Sequence, residues 1–342
     1  KAISRLNGEE IGVPATLSKN IVTGILRDEL QYKGLVFTDA LDMGAIADNF
    51  GSNEAVEQAY LAGVDVAVMP VHIWDEQGLK KLNSLYDYLE HRSHANPELA
   101  ARINESALRV VKYKLDSKLL PYQKFTANYA SSVVASAKHK NYERSVAEKS
   151  VTLIENHGVL PFELKKETRI LVISDENARN KIIKNELAKI DSELTDKRIR
   201  INDAALNLAG NALPADFNKK IDDADFIILT TYNLTAHDSA AQLIVNSAEE
   251  HRKPLVVISS RNPYDISVLK NVRANIAIYG ITGFDITNSG RNSLEANIRA
   301  GVRSLFKSDG DVTFNAPAGQ LPVDIKDDAS HVIYPLGHGL TY

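Results

Sequence analysis

Short apolar runs alternate with amphipathic stretches through the first part of the chain. Apolar residues at helical spacing over 18–31 predict a helix of about three turns, with Ser18 as its N-cap. Residues 35–37 are an apolar run that is too short for a helix and that fits a strand buried on both faces. A second helix is predicted over 55–61, and a second strand follows it, with its apolar residues concentrated at 66–69.

This order of helix, strand, helix and strand with short links is a βαβ pattern, which requires parallel strands. Two strands do not form a stable sheet alone, and the residues before position 34 contain no obvious partner strand for them. Helices predicted over 78–89 and 97–115 would cover the outside of the sheet. The first domain is therefore expected to be a part of a larger parallel sheet.

A polar connector over 119–141 separates residues 1–118 from a second domain over 142–342. Four apolar strands, after a first one near 150–156, recur in that domain with helical segments between them. The strands are expected at 170–173, 226–229, 255–258 and 276–279, and the helices at 177–190, 239–250 and 294–306. The pattern predicts an α/β domain with a mainly parallel sheet, closed by an extended segment over 319–342.

Composition and charge exclude several classes of function. The net charge of −4 is spread over interspersed signs, so nucleic acid is not an expected partner. No apolar run approaches the 18 residues of a membrane-spanning helix. The sequence has no cysteine, no glycine-rich phosphate loop, and nine histidines without metal-ligand spacing. Neither a metal nor a nucleotide cofactor is therefore expected.

One carboxylate follows the predicted strand at 35–37 directly. Asp39 would lie at the carboxyl end of a parallel strand, where α/β folds place ligands and catalytic groups. An aspartate there can also cap a helix or turn that begins at Ala40. The residues alone leave both interpretations open and favour the cap.

Four stretches, taken together in their order and spacing, resemble glycoside hydrolase family 3. They are PATLS with LRDEL and GLVFTD over 14–39, AGVDVAVMP over 62–70, VAEKSVTLI with LP over 146–161, and GQLPV with PLGHGL over 319–340. The resemblance covers nearly the whole chain. It implies a (β/α)8-type barrel followed by an α/β sandwich domain.

On this resemblance, residues 1–118 would be the last two strand-helix units of the barrel. Residues 119–141 would be a linker, and residues 142–342 the family's carboxy-terminal α/β domain. The chain opens on Lys1 as if inside a loop, so we expect it to be an incomplete fragment. The missing barrel portion would be needed as a covalent or separate partner.

The resemblance also implies that Asp39 is the catalytic nucleophile of a retaining glycosidase. The β-glucosidase-like branch takes its acid/base glutamate from a Glu-Gly-x-Asp-Arg-x-x-Leu segment of the second domain, and residues 232–243 do not contain it. The β-N-acetylhexosaminidase branch uses an Asp-His pair on a barrel loop upstream of the nucleophile, which would precede Lys1. The missing glutamate therefore favours the second branch.

The leading hypothesis is an exo-β-N-acetylglucosaminidase that removes terminal N-acetylglucosamine, with peptidoglycan fragments as one suggested source. The substrate partner is then a carbohydrate, and the chemistry needs no cofactor. The alternatives are a β-glucosidase of the same family and a non-catalytic fragment or binding module. Whether water or phosphate accepts the sugar stays open.

Several other residues have both a functional and a structural interpretation. Met43 and Arg261 are candidate substrate contacts, the first in the sugar pocket and the second beyond the strand at 255–258. Asp42 is an alternative nucleophile, but a role in capping or orienting the loop is favoured for it. Asp65 is expected to be buried and hydrogen-bonded. The adjacent His237 and Asp238 suggest a dyad, but neighbours in a loop usually point apart.

Overall fold

The computed structural model describes residues 13–42, 50–194, 199–280, 295–308 and 312–342. The chain divides into two compact units, Lys1–Thr126 and Ala127–Tyr342. This division falls within the polar stretch over 119–141. Each unit has a hydrophobic core of its own.

The first unit contains a two-stranded parallel sheet and the helices that pack on it. Its elements are a π-helix Asn20–Glu29, β1 Phe37–Ala40, α1 Ser52–Ala62, β2 Val66–Val68, α2 Glu76–Ala95 and α3 Pro97–Asp116. Each of the four predicted helices and both predicted strands has a counterpart here. The helix at the start of the unit is wound more widely than expected, because Leu30 N–H donates to Ile25 O.

The first strand differs from its prediction in position and burial. β1 begins at Phe37, so Asp39 lies inside the strand rather than after it. Asp65 forms two hydrogen bonds with the backbone of Val36. Its N–H donates to Val36 O at 2.8 Å, and its carboxylate accepts from Val36 N–H. The expectation of a strand buried on both faces is wrong, because the Phe37 side chain is 58% exposed on a sheet of two strands.

Local signals account for where the helices begin and end. Ser18 Oγ accepts from Ile21 N–H at 3.2 Å, as an N-cap does. Asn96 caps α3 through Glu98 N–H and Leu99 N–H, and a proline opens that helix. Gly63 ends α1 with a φ of 114°, a left-handed conformation that favours glycine.

The second unit is built around a six-stranded sheet with the order β3-β8-β7-β6-β4-β5. Its strands are β3 Thr152–Asn156, β4 Thr168–Ser174, β5 Ile199–Ala205, β6 Phe226–Thr231, β7 Leu255–Ser259 and β8 Ala274–Ala277. All neighbours pair in parallel except β3, which runs antiparallel to β8. This confirms the prediction of an α/β fold with a mainly parallel sheet.

Helices cover both faces of this sheet, and one apolar cluster lies on each face. The helices of this unit are α4 Ala127–Val133, α5 Ala137–Ser150, α6 Asn177–Glu193, α7 Phe217–Asp222, α8 Ser239–Glu250, α9 Asp265–Val268 and α10 Glu295–Arg303. The central strands β6 and β7 are buried along their whole length, which is why their sequences are continuous apolar runs.

β5 was missed by the sequence analysis. It is an edge strand whose residues alternate between partly buried and exposed, and its sequence IRINDAA lacks an apolar run. The chain then ends in the short antiparallel pair β9 Ile325–Lys326 and β10 Val332–Tyr334, within the segment predicted to be extended. In the described part of the chain, no helix has the length and apolarity that crossing a membrane requires.

Candidate active site

Asp39 is the penultimate residue of strand β1, and its carboxylate is exposed. Its Oδ1 accepts from Ala40 N–H at 2.8 Å, and it forms no ion pair with a described residue. Its neighbour Thr38 points the other way, is buried, and accepts from Val68 N–H at 2.8 Å. The alternation of the strand therefore turns Asp39 outward and leaves one carboxylate oxygen open.

Asp65 lies at the start of β2 and is the most heavily paired acid in the described part of the first unit. Arg27 Nη2 lies 2.5 Å and Arg109 Nη1 3.1 Å from its carboxylate, and Arg102 is at 3.7 Å. The side chain of Asp65 is fully buried. The expectation of a buried, hydrogen-bonded structural group is confirmed.

The three arginines were not singled out from the sequence. Arg102 and Arg109 lie seven residues apart on α3, and Arg27 comes from the π-helix, so only the tertiary fold brings them to one carboxylate. The spacing of seven places residues on one face of a helix, which is the one signal that could have paired them. Their chemistry is structural, because Asp65 has no open face for a ligand.

Asp42 and His72 form a second pair that sequence reasoning missed. His72 Nε2 lies 2.6 Å from Asp42 Oδ2, and both side chains are partly exposed. His72 also stacks on Trp74, with ring centroids 5.6 Å apart and an interplanar angle of 17°. Asp42 therefore orients a histidine, and its expected role in capping or orienting its own loop stays a prediction. Met43, the candidate sugar contact, lies outside the described residues.

Arg261 lies two residues beyond strand β7, at the carboxyl edge of the sheet in the second unit. Its Nη1 donates to the Tyr232 hydroxyl at 3.1 Å, and its guanidinium lies 5.5 Å from the centre of the Tyr232 ring. Arg179 approaches the same ring at 5.3 Å. Both are cation–π distances, so the tyrosine holds the two guanidiniums in place.

A buried acid lies beneath this edge. Asp265 accepts from Thr231 Oγ1 at 2.6 Å and from Leu234 N–H at 2.9 Å. Burial raises the pKa of Asp265 above its ordinary value, against the lowering effect of these hydrogen bonds. The carboxylate of Asp238 accepts from Thr235, through its hydroxyl at 2.8 Å. Asp238 is thus engaged in its own loop, in keeping with the argument against a dyad with His237.

Two further features of the described residues bear on chemistry, namely possible metal ligands and a cavity in the second unit. No group of three or more His, Cys, Asp or Glu in these residues could hold a metal ion. A cavity of about 580 Å³ lies among α5, α6 and α10, and both signs of charge line it. Its acids Glu186 and Glu193 are already paired with Arg303. That cavity is therefore an ion-pair network between helices rather than a set of free reactive groups.

Comparison with known proteins identifies the first unit. Residues 2–113 match the amino-terminal domain of glycosyl hydrolase family 3. The chain is also 29% identical to beta-hexosaminidase A of Pseudoalteromonas piscicida over 275 residues, which is 76% of this chain and 46% of that protein. The first unit is therefore similar to the amino-terminal domain of glycosyl hydrolase family 3.

Two further comparisons show similarity over more of the chain, one in sequence and one in fold. A beta-N-acetylglucosaminidase/beta-glucosidase of Cellulomonas fimi is 24% identical over 78% of this chain and 48% of its own length. The solved structure of a family 3 beta-N-acetylglucosaminidase from Paenibacillus sp. str. FPU-7 covers 88% of this chain and 54% of that chain, with a TM-score of 0.61 and 23% identity. The chain spans about half the length of the curated relatives it matches.

Proposed function

We propose that this chain carries the nucleophile of a retaining exo-β-N-acetylglucosaminidase and that Asp39 is that nucleophile. One observation carries the proposal: Asp39 is the exposed carboxylate without an ion partner among the described residues at the end of β1, in a segment that matches family 3. The two other acids near this edge are engaged, Asp42 with His72 and Asp65 with three arginines. A carboxylate that attacks an anomeric carbon needs an accessible oxygen, which Asp39 offers.

The proposed reaction has two steps. A carboxylate oxygen of Asp39 forms a bond to the anomeric carbon while the glycosidic C–O bond breaks, and the leaving oxygen takes a proton from an acid. Water then attacks the anomeric carbon and gives a proton to the base, and the ester bond to Asp39 breaks. The sugar leaves with its original configuration, since two inversions cancel.

The proton donor is not assigned to a described residue. A retaining enzyme needs it about 5–5.5 Å from the nucleophile. The family resemblance suggests an Asp-His pair on a barrel loop that comes before the nucleophile segment. We therefore expect the 342-residue chain by itself to turn over natural glycosides slowly or not at all.

The exposure of the sheet in the first unit is an argument that further strands pack beside it. Among the described residues β1 pairs with β2 alone, and Phe37 and Met69 expose 58% and 47% of their side chains there. Parallel sheets are normally covered on both faces. We propose that further strands of a (β/α)8-type barrel complete this sheet, and that residues 142–342 form the sandwich domain that follows it.

The choice of N-acetylglucosamine rests on the residues of the second unit and on the relatives. The stretch over 232–243 contains no glutamate, and its one acid, Asp238, is bonded to Thr235. Two relatives carry hexosaminidase or N-acetylglucosaminidase names. A β-glucosidase is the second candidate, because the name of the Cellulomonas fimi relative includes both activities.

Met43 and Arg261 stay proposals as carbohydrate contacts. Arg261 is supported by its exposed guanidinium at the ligand-binding edge of a parallel sheet, braced against Tyr232. Met43 is supported by its place four residues after Asp39.

Covalent trapping tests the nucleophile without the need for a proton donor. Fluorinated glycosyl fluorides carry a leaving group that departs unprotonated and form long-lived esters with the nucleophile. We expect the N-acetylglucosaminyl reagent to add one sugar mass to the peptide that contains Asp39, and Asp39→Ala to abolish the addition. Asp87→Ala is the matched control, since Asp87 is an exposed acid on α2.

Labelling of another residue, or undiminished labelling of Asp39→Ala, would remove Asp39 from this role. Preferential labelling by the glucosyl reagent would support the β-glucosidase. Rates with aryl N-acetylglucosaminide and aryl glucoside, measured on any active form, give an independent reading of the same choice.

A further inference from the structure

The loop that follows strand β2 displays the one tryptophan of the sequence to solvent. Trp74 is 64% exposed. One part of its ring system is covered by His72, which stacks on it at a centroid distance of 5.6 Å. The remainder of the indole is open. An aromatic side chain that is both exposed and held by an offset stack is a ready binding surface.

Four contacts hold this loop in place. Asp42 anchors the His72 ring at 2.6 Å, and Ser52 Oγ donates to Pro70 O at 2.9 Å. Asp75, the residue after Trp74, caps α2 by accepting from Gly78 N–H at 2.8 Å. A side chain at Gly78 would collide with the His72 carbonyl oxygen, so the loop packs directly on the helix backbone. Trp74 is thus displayed from a braced support.

This support lies at the same edge of the sheet as the proposed nucleophile. β1 and β2 are parallel neighbours with Ala40 opposite Val68, so the residues that follow both strands emerge together. Asp42, which anchors His72, comes three residues after Asp39. The carboxyl edge of parallel strands is where such folds bind their ligands.

We propose that Trp74, backed by His72, is a platform that binds a pyranose ring of the carbohydrate on the leaving-group side of the scissile bond. The indole would pack against the C–H face of the sugar, and the partly exposed His72 would meet a hydroxyl group. Asp39 lies in β1, whereas Trp74 comes from the loop after the neighbouring strand β2, which suits the sugar next to the one that is cleaved. The choice of a carbohydrate containing N-acetylglucosamine and the choice of this side both rest on the proposed function of Asp39.

The tryptophan itself reports the test. In the full chain with Asp39→Ala, which prevents turnover, N,N′-diacetylchitobiose is titrated while the indole emission is recorded. Because Trp74 is the sole tryptophan, any change in emission comes from this position. We expect a saturable change with the disaccharide and a much weaker one with N-acetylglucosamine. Absence of a saturable change with the disaccharide overturns the proposal.

Substitutions give a second measurement, by calorimetry. We expect Trp74→Ala to weaken binding of the disaccharide at least tenfold and Trp74→Phe to weaken it less. Tyr86→Ala is the matched control, because Tyr86 is 61% exposed on α2, and it should leave binding unchanged. Binding by Trp74→Ala within twofold of the parent chain overturns the platform. Covalent labelling of Asp39 is read separately, so failure of the nucleophile proposal would not be confused with failure of this one.

Discussion

Arg27 donates to the Asp65 carboxylate at 2.5 Å, and this pair fixes the start of the strand that carries Asp39. The same arginine donates to Gly34 O at 2.6 Å, and the same carboxylate accepts from Val36 N–H at 2.9 Å. Arg27 and Asp65 therefore both hydrogen-bond to the backbone just before β1. The position of the proposed nucleophile depends on a buried ion pair that takes no part in its chemistry.

Asp65→Asn should destabilise the first unit strongly. The substitution leaves Arg27, Arg102 and Arg109 around a site that no longer carries a negative charge. Removing one partner of a buried pair costs about 3–5 kcal/mol. Urea denaturation followed by circular dichroism measures the loss. Asp87→Asn, at an exposed position of α2, is the control and should change the free energy of unfolding by less than about 0.5 kcal/mol.

Arg27→Lys separates charge from geometry at the same site. Lysine keeps the positive charge but cannot reach Asp65 and the carbonyl oxygen of Gly34 with two groups at once. A loss smaller than that of Asp65→Asn but above that of Asp87→Asn is expected. Equal stability of all three variants and the parent chain would contradict the role of the cluster.

Glu186 should stabilise the second unit through a buried ion pair, as Asp65 does in the first unit. Its side chain is 2% exposed, Arg303 Nε lies 2.5 Å from one oxygen, and Arg299 lies 3.4 Å from the other. Glu186→Gln should lower the free energy of unfolding by about 2–3 kcal/mol, because hydrogen bonds to charged groups are lost in a buried setting. Urea denaturation is again the measurement. Glu250→Gln, exposed at the end of α8, should have little effect.

Arg303 connects this buried acid to an outer one. It donates to Glu193 at 3.0 and 2.7 Å, and this contact holds the pKa of Glu193 below its ordinary value. If Glu186→Gln and Glu250→Gln were equally stable, Arg303 would be satisfied by Glu193 alone. The three helices around the cavity would then be held by their apolar contacts.

Asp265 should give the second unit a dependence on pH opposite to that of a paired acid. Burial raises the folded-state pKa of Asp265 above the unfolded value, so ionisation opposes folding. Its stabilising contribution is full below about pH 3.9, the unfolded pKa, and is lost as the pH rises through the folded pKa. The free energy of unfolding should therefore fall relative to Asp265→Asn over that window.

The comparison uses urea denaturation of both chains from pH 3 upward. Asparagine can still accept from Leu234 N–H, so the substitution keeps one native hydrogen bond. Depressed acids such as Glu193 and Asp225 contribute stability that is lost as the pH falls, but they are common to both chains and cancel in the difference. A difference that is constant with pH would show that Asp265 titrates alike in both states.

Sequence periodicity predicted most of the elements, because it reports burial directly. The apolar runs became β4, β6, β7 and β8, and amphipathic stretches became α2 and α3. It failed at β5, where an edge strand has one side in water and mixes polar and apolar residues. It also misjudged the burial of β1. An apolar run such as Leu-Val-Phe predicts a buried strand but does not show which elements would cover it, and Phe37 is exposed.

The candidate site was predicted less completely. The acid Asp39 could be named from its place after an apolar run and from the family motif, and Asp65 from its place in a strand pattern. Their surroundings could not, because Arg27 and Arg109 reach Asp65, and His72 reaches Asp42, across 30 to 44 positions of the chain. No periodic pattern joins residues at such separations.

The sequence by itself determined the α/β class, the mainly parallel sheet of the second unit and the resemblance to glycoside hydrolase family 3, because these follow from local periodicity and from short motifs. Tertiary structure alone decided which acids are free. Asp39, Asp42 and Asp65 are the same residue type within a stretch of 27 positions. Folding gives Asp65 three arginines and Asp42 a histidine, and leaves Asp39 with a backbone N–H. The difference is electrostatic pairing, which depends on distances in space that the order of residues does not contain.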